Sequence, residues 1–489
     1  MASSDSSMNY IAGSDRGEAL LLPEVLDDYI TPENPVRFID AFVGELDLSK
    51  AGFSNAVLNE TGRPPYDPGD LLRLYLYGYL NRVRSSRGLE REAARNLELI
   101  WLLRKLRPDF KTIADFRRDN GRAIKAVGRE FILLCRKLEL FGGELVAIDS
   151  TKIKAQNSKG RNYSEAKLKA LLAEIENKLS AYLQELDQAD AQERASSSAD
   201  SERRRRSVEE LKEKIAQLKQ RKEELQNLAQ DLEKSGERQV SLTDPDSRAM
   251  SMGKGSTVGY NVQAAVDAKH SLIVETQVTN TPTDVGALGT MAIKAQESLE
   301  ARNLSVVADK GYYNGKEVLA CDSIGISAYI AKPLTSANTA RGLYGKESFQ
   351  YDASENCYIC PAGQKLTYRF ATNEKGRAIY YYRARSCKSC PLKSKCTRNK
   401  ENRTITRLAA EEVQERMAER VARNPQIMRR RKAIIEHCFG TIKRSLGYDY
   451  FLCRGLRNVS TEINLTVLAY NLKRACNLVG VNNLIAAVS

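Results

Sequence analysis

The sequence predicts a mixed α/β protein: a helical N-terminal region, then a mixed sheet interrupted by an inserted antiparallel helical hairpin and a cysteine-rich insertion. Three observations carry this expectation. Apolar residues recur at helical spacing from Val36 to about Leu140. Short apolar runs end in aspartate at Leu145-Val146-Ala147-Ile148-Asp149 and Val306-Val307-Ala308-Asp309, as strands opening into loops do. Between these runs lie two heptad-spaced segments and, further on, five clustered cysteines.

Residues 1–35 read as an extended arm, because Pro23, Pro32 and Pro35 interrupt any helix. Residues 36–142 read as a helical domain. Pro64-Pro65-Tyr66-Asp67-Pro68-Gly69 is a turn, and Asp70 is expected to cap a helix Leu71–Arg82. Further helices are expected at Leu89–Leu106, Thr112–Arg118 and Ala123–Leu138, the last running up to Gly142-Gly143. Arg82, Arg84, Arg87, Arg91 and Arg95 concentrate positive charge around a helix junction. They suit a surface that grips phosphates, although solvated helix faces carry such charges too.

The hairpin is expected over 164–240. Leu168, Leu172, Ile175, Leu179, Tyr182 and Leu186 keep a 4-3-4-3-4 spacing, and Val208, Leu211, Ile215, Leu218, Leu225 and Leu232 form a second seam. The polar stretch Gln192–Arg206 between them reads as the turn. Self-association, a long arm over DNA, and a passive insertion are the three readings of this element.

Residues 143–163 and 241–334 are expected to build the first part of the sheet, and 403–489 its C-terminal part. Strand patterns at Gly259–Asp267 and Leu272–Asn280 flank a short turn. A helix from Thr283 to about Leu299, the strand ending in Asp309 and a short strand at Ile326–Ala331 follow. With the hairpin set aside, the order is strand, strand, strand, helix, strand, then the helix carrying Glu436. That is the order of a ribonuclease H-like sheet, in which the ends of the first and fourth strands lie side by side.

Lys and Arg number 76 against 62 Asp and Glu, a formal charge of +14. A polyanion such as DNA or RNA is the natural partner of that balance. The first thirty residues lack the basic and apolar regions of a secretory signal, and no apolar run reaches eighteen residues. A transmembrane segment is therefore not expected, and residence in a bacterial cytoplasm is.

Asp149, Asp309 and Glu436 are the candidate catalytic residues. An aspartate after a strand is commonly only a turn former. Here both open into basic or glycine-bearing loops, Ser150-Thr151-Lys152 and Lys310-Gly311-Tyr312. Two strand-end aspartates and a helical glutamate can hold two divalent cations about 3.5–4 Å apart, a clamp for the attacking and leaving oxygens of a phosphodiester. On a helix at about 100° per residue, Arg429, Lys432 and Lys443 share the Glu436 face, with Ile427, Ile434, Ile435, Cys438 and Ile442 mainly opposite. These three cations, with Arg431 beside Lys432, are the expected contacts to DNA phosphates on this helix, although a surface salt-bridge stripe would look similar. Asp244, Asp246 and Asp267 are further carboxylates near enough in chain order to assist.

Residues 335–402 form the cysteine-rich insertion. Cys357-Tyr358-Ile359-Cys360 and Cys387-Lys388-Ser389-Cys390 are two C-x-x-C pairs, with Cys396 beyond. Cys357, Cys360, Cys387 and Cys390 are the expected ligands of a structural Zn2+, with free thiols and redox chemistry as the alternatives.

Ala147-Ile148-Asp149-Ser150-Thr151-Lys152, Ala308-Asp309-Lys310-Gly311-Tyr312-Tyr313 and Glu436-His437-Cys438-Phe439-Gly440-Thr441-Ile442-Lys443-Arg444 resemble the motifs of bacterial insertion-sequence DDE transposases. So do Thr243-Asp244-Pro245-Asp246-Ser247, Gly259-Tyr260-Asn261-Val262-Gln263 and the helical N-terminal region. The resemblance implies a ribonuclease H-like fold, two Mg2+ (or Mn2+) ions on Asp149, Asp309 and Glu436, and DNA nicking followed by strand transfer. Double-stranded DNA, as element terminal inverted repeats and target, is the implied partner, bound by at least a homodimer. Lys443 matches the family's lysine seven residues after the glutamate. Where the family commonly has arginine four residues before the glutamate, this chain has Lys432, with Arg431 adjoining. Two alternatives stand beside this reading: a transposase-derived DNA-binding protein without catalysis, and a metal-dependent nuclease without strand transfer.

Overall fold

The computed structural model describes residues 25–57, 64–157, 159–193, 201–252, 255–333, 337–374 and 377–488. The N-terminal arm up to residue 24 and the hairpin turn at 194–200 lie outside the described residues. The chain divides into two units, residues 1–116 with 475–489, and residues 117–474.

The first unit is helical. Helix Pro35–Gly44 starts with proline in its first turn, behind Asn34, whose side chain accepts from Val36 N. Helix Pro68–Leu80 repeats the device. Its cap is Asp67, whose Oδ1 accepts from Gly69 N at 2.7 Å. Asp70, the expected cap, is instead buried inside the helix and accepts from Arg104 at 2.7 and 2.8 Å. The single helix expected over Leu89–Leu106 is two, Ser86–Arg95 and Leu97–Leu102. Asn96 ends the first and caps the second, its Oδ1 accepting from Glu98 N and Leu99 N. Phe38, Ile39, Leu72, Tyr75 and Tyr79 are fully buried in this unit.

Helix Gly121–Lys137 belongs to the second unit, so the helical unit ends at Phe116 and not at 142, and it takes in 475–489. Lys125 of that helix pairs with Glu275 at 3.1 Å. Periodicity reports that a helix has an apolar face; it does not report which core receives that face.

The main sheet of the second unit has six strands: β1 (Leu145–Lys154), β2 (Arg248–Met252), β3 (Gly255–Asp267), β4 (Ile273–Thr279), β5 (Ser305–Ala308) and β6 (Ser327–Ile330). Their order is β2-β3-β1-β5-β6, with β4 also paired to β3. β3 is antiparallel to β1, β2 and β4, whereas β1, β5 and β6 run parallel. The architecture is thus mixed α/β with a mixed sheet. One face packs on helix Leu288–Leu299 through Val146, Ile148, Val306, Ala308, Met291 and Ala292. Toward the end of β1, Ile153 and Tyr260 pack with Phe451, Val459 and Ile463. β2 is a strand that the sequence reading lacks, and the helix expected from Thr283 begins at Leu288.

Between β1 and β2 the chain leaves the sheet in helices Glu165–Glu193 and Ser201–Ser235. A ribbon of Asn162–Ser164 and Gln239–Ser241 ties their base. Leu168, Ile175, Leu179, Leu211, Ile215, Leu225 and Leu232 bury one another in a separate small core. The arginines 203–206, expected in the turn, lie within the second helix.

After β6 comes a five-stranded antiparallel sheet: β7 (Gln350–Asp352), β8 (Cys357–Ile359), β9 (Lys365–Glu374), β10 (Arg377–Ala384) and β11 (Thr404–Leu408), in the order β11-β10-β9-β8-β7. The cysteine-bearing sheet therefore continues past residue 402. Helices Glu411–Arg423 and Pro425–Gly440 then return the chain to the main sheet, where the second contacts β1, β3, β5 and β6. Among the described residues, no helix is long and apolar enough to cross a membrane.

Candidate active site

Asp149 lies within β1 and Asp309 follows the last residue of β5. The parallel register pairs Ile148 with Ala308, so the two aspartates occupy the next positions on adjacent strands. Strands in a sheet stand about 4.8 Å apart, which leaves the two carboxylates side by side. Asp309 Oδ1 accepts from Gly311 N at 2.8 Å and opens a short 3-10 turn. Asp149 Oδ1 accepts from Ser150 N at 2.8 Å. Burial pushes the Asp149 carboxyl up, the Ser150 N–H and the Arg431 guanidinium oppose that rise, and the charges of Asp309 and Asp284 add to it.

Arg431 forms an ion pair with Asp149, both side chains mostly buried. This arginine stands five residues before Glu436, about 140° round the helix, on the side facing the sheet with Ile434, Ile435 and Cys438. Glu436 itself is exposed on the same helix, as are Arg429 and Lys432. Two of the four cations expected to meet DNA are therefore engaged within the protein. Arg431 holds Asp149, and Lys443 is half-buried with its Nζ donating to Lys152 O at 2.9 Å. Lys443 leaves the helical phase of Glu436 because Thr441–Ser445 is a wider π turn. Burial lowers the Lys443 ammonium, nearby Lys152 adding to that effect and Asp449 opposing it.

Asp284 is the site residue that sequence reasoning missed. It sits in the loop ahead of helix Leu288–Leu299, and its Oδ1 accepts from Asn261 and Gln263 side chains at 2.8 Å each and lies 3.5 Å from Lys152 Nζ. Register explains the grouping. Ser150 faces Gln263 and Lys152 faces Asn261 across β1 and β3, so these four share one side of the sheet while Asp149 alternates to the other. Tyr312, fully buried, donates to Gln263 and closes that network. The Gly259–Gln263 motif was the available signal, but the motif gives no partner 21 or 23 residues away.

The other carboxylates weighed from sequence are committed elsewhere. Asp244 accepts from Tyr260 OH at 2.8 Å and from Gly455 N at 3.1 Å. Asp246 accepts from Leu456 N, and Asp267 from Gly142, Gly143 and Lys269 backbone N–H groups. His437 packs against Tyr470, with ring Nδ1 3.1 Å from its hydroxyl.

In the first unit Arg82, Arg87 and Arg91 are exposed, and Arg87 stacks on Phe110. Arg84 is buried and so is absent from that exposed set, because the junction turn folds it inward.

The expected zinc ligands are only partly gathered. Cys360, Cys387, Cys390 and Cys396 line one cavity, and Cys357 is not among them. Three residues of extended chain span about 10 Å, so Cys357, paired in register with Asp352 and Thr367, is carried away from Cys360. Its sulfur groups with Asp352 and Glu355 within 4.8 Å.

Residues 359–476, which include Glu436 and Lys443, match the family model for a transposase DDE domain. Residues 24–119, the helical N-terminal region, match a model for a transposase domain. Both matches are to transposase domains, the first of the DDE type. A DDE domain marks a nuclease of transposition, and such domains generally use divalent metals. No curated protein matches this chain. A solved piggyBac transposase synaptic complex with hairpin DNA is similar over 90% of this chain and 74% of that one, at 8% identity and a TM-score of 0.32. That likeness is too low to bear on fold or function.

Proposed function

We propose that this chain is the DNA transposase of a bacterial insertion sequence, with Asp149, Asp309 and Glu436 as its catalytic carboxylates on a ribonuclease H-like core. The observation that carries the reading is the Ile148–Ala308 register, which sets two aspartates together at the centre of the sheet. The order β4-β3-β1-β5-β6, with the first three strands antiparallel and the last three parallel, supports the fold assignment. Helix Pro425–Gly440, which carries Glu436 on its exposed side, packs on the same sheet through its opposite face.

The donor set suits hard divalent cations. Carboxylate oxygens are the ligands of Mg2+ and Mn2+, and neither thiol nor imidazole competes among the three residues. Bound there, a pair of such ions would supply positive charge to the attacking and leaving oxygens of a phosphodiester. The chain's own residues do the rest. Arg431 neutralises Asp149 when no cation does, and keeps its carboxylate fixed on β1. Gly311 N fixes Asp309. Exposed Arg429 and Lys432 offer phosphate contacts beside Glu436. Arg82, Arg87 and Arg91 offer them on the helical unit, for binding the terminal inverted repeats. The enzyme acts on element ends and target DNA as a homodimer or larger assembly, on the nucleoid of a bacterial cytoplasm.

The test is Mg2+-dependent cleavage and joining of DNA carrying the element's own ends, wild type beside Asp149→Ala and Asp309→Ala. Nicked and joined products, lost in both variants, are expected. Nicking without joining favours a nuclease, end-binding without nicking favours a silent DNA-binding protein, and nicking that survives both substitutions removes these aspartates from the site.

A further inference from the structure

The second sheet has a small core. Phe349, Tyr358, Leu366, Tyr382, Ala384, Cys396 and Ile405 form it, with Cys360 and Cys387 packed against them. A module with so little buried apolar surface generally depends on a covalent or metal cross-link. At the end of this sheet, three chain segments bring four cysteines to one cavity: Cys360 after β8, Cys387 and Cys390 after β10, and Cys396 closing a one-turn helix Lys393–Cys396. No carboxylate and no histidine lines that cavity, while Lys393 and Arg403 do.

We propose that Cys360, Cys387, Cys390 and Cys396 bind one structural Zn2+, and that Cys357 stands outside the ligand set. Local backbone geometry prepares two of the sulfurs to carry charge. Cys360 begins a tight turn in which Gly363 N donates to Cys360 O at 2.8 Å and Gln364 N donates to Cys360 Sγ at 3.3 Å. Arg403 N donates to Cys387 Sγ at 3.5 Å, and Asn402 Oδ1 accepts from Cys387 N. Backbone N–H groups aimed at cysteine sulfur stabilise thiolate, the form that ligates metal. Four thiolates around one divalent ion leave two net negative charges, which the cationic Lys393 and Arg403 offset. An all-sulfur tetrahedral set selects zinc or iron over hard cations; with neither carboxylate nor histidine lining the cavity, the redox-inert zinc suits a site whose surroundings are a structural core.

Among the described residues, no three of these sulfurs lie within 4.8 Å of one another. Zinc–sulfur bonds of about 2.3 Å place tetrahedral sulfurs about 3.8 Å apart, so loading draws the three segments together. Metal binding and closure of the module are thus one event, with the deprotonation of four thiols accompanying it. Cys357 contributes to packing beside Asp352 and Glu355 instead. The inference is independent of DNA cleavage and stands or falls without it.

The test uses the full-length protein. Metal content by mass spectrometry is expected to give about one zinc per chain. Cys360→Ser and Cys396→Ser should each lower zinc affinity at least about tenfold in competition with a chromophoric chelator, and Cys357→Ser should leave stoichiometry and affinity unchanged. Because a serine variant can misfold, wild-type protein is also alkylated with and without chelator. Chelation should expose Cys360, Cys387, Cys390 and Cys396 together and leave the Cys357 rate as it was. Zinc retained by Cys396→Ser but lost from Cys357→Ser overturns the ligand set. Stoichiometric iron overturns the metal, and absence of any metal with no chelator-dependent protection overturns the site.

Discussion

Gly259 is where β3 closes on β1, the strand that carries Asp149, and it offers a test of how the scaffold sets the proposed carboxylates. Its partner across the ladder is Lys154 of β1. A Cβ at 259 would lie 2.2 Å from the Ile153 carbonyl oxygen and 3.0 Å from its carbon. Both are backbone atoms, so no rotamer change relieves the clash. Close carbon–oxygen approaches between strands run at about 3.3 Å, so Gly259→Ala must part β3 from β1 by roughly 1 Å. β1 has nowhere to go. On its other edge Lys154 N donates to Asp449 O at 3.2 Å and Phe451 N donates to Lys154 O at 2.8 Å. Overpacking of this kind costs about 1–3 kcal/mol. A misplacement of about 1 Å at a reacting centre costs roughly 100-fold in rate. Asp149 stands four residues up the strand from Ile153, about 13 Å, so part of the shift dissipates. The expected loss in nicking rate is between about tenfold and 100-fold. Urea unfolding followed by circular dichroism reads the first quantity, and single-turnover nicking at saturating Mg2+ the second. A Gly259→Ala protein within about 0.5 kcal/mol of wild type and equal to it in nicking would refute the argument that this contact positions Asp149.

Three further outcomes are expected. Asp149→Asn should be inactive yet at least as stable as wild type at pH 7.5. Burial raises the Asp149 carboxyl in the folded state despite Arg431, so wild type loses stability as pH rises through the gap between unfolded and folded values; the variant's advantage should fade as pH falls toward about 3.9, and a variant less stable than wild type at pH 7.5 contradicts this. Tyr260→Phe should cost about 1–3 kcal/mol in urea unfolding, because the buried Asp244 carboxylate loses a 2.8 Å donor; an unchanged midpoint argues against it. Leu225→Ala, at a side chain 2% exposed in the hairpin core, should cost that helical pair about 2–5 kcal/mol. Since that core shares no residue with the main-sheet core, helical signal should melt earlier while Mg2+-dependent nicking persists.

The strand ending at Asp309 was legible because a central strand must be apolar on both faces until it leaves the core, and a charge marks that exit; β1 instead runs on past Asp149 to Lys154, so that aspartate marks where full burial stops and not where the strand ends. The heptad seams were legible for a similar reason: Leu168, Ile175, Leu211 and Leu225 have to be covered, and a partner at matching spacing is the simplest cover. What failed was local. The cap of helix Pro68–Leu80 moved from Asp70 to Asp67 because proline fixes the first turn. The expected helix around Trp101 broke at Asn96 because its side chain satisfies two backbone N–H groups and so starts a helix anew.

By itself the sequence determined the mixed α/β class of the chain, the order of most of the main sheet's strands, and the three acidic residues worth testing, since each follows from period, punctuation and charge along the chain. Only the tertiary structure decided the partners. It turned Arg431 inward to Asp149, brought Asp284 to Asn261 and Gln263, and exchanged Cys357 for Cys396 at the cysteine cavity. Each of these depends on strand register or on which way an alternating side chain faces. A one-residue step in a strand reverses that facing, and no pattern within a single segment records what waits on the other side.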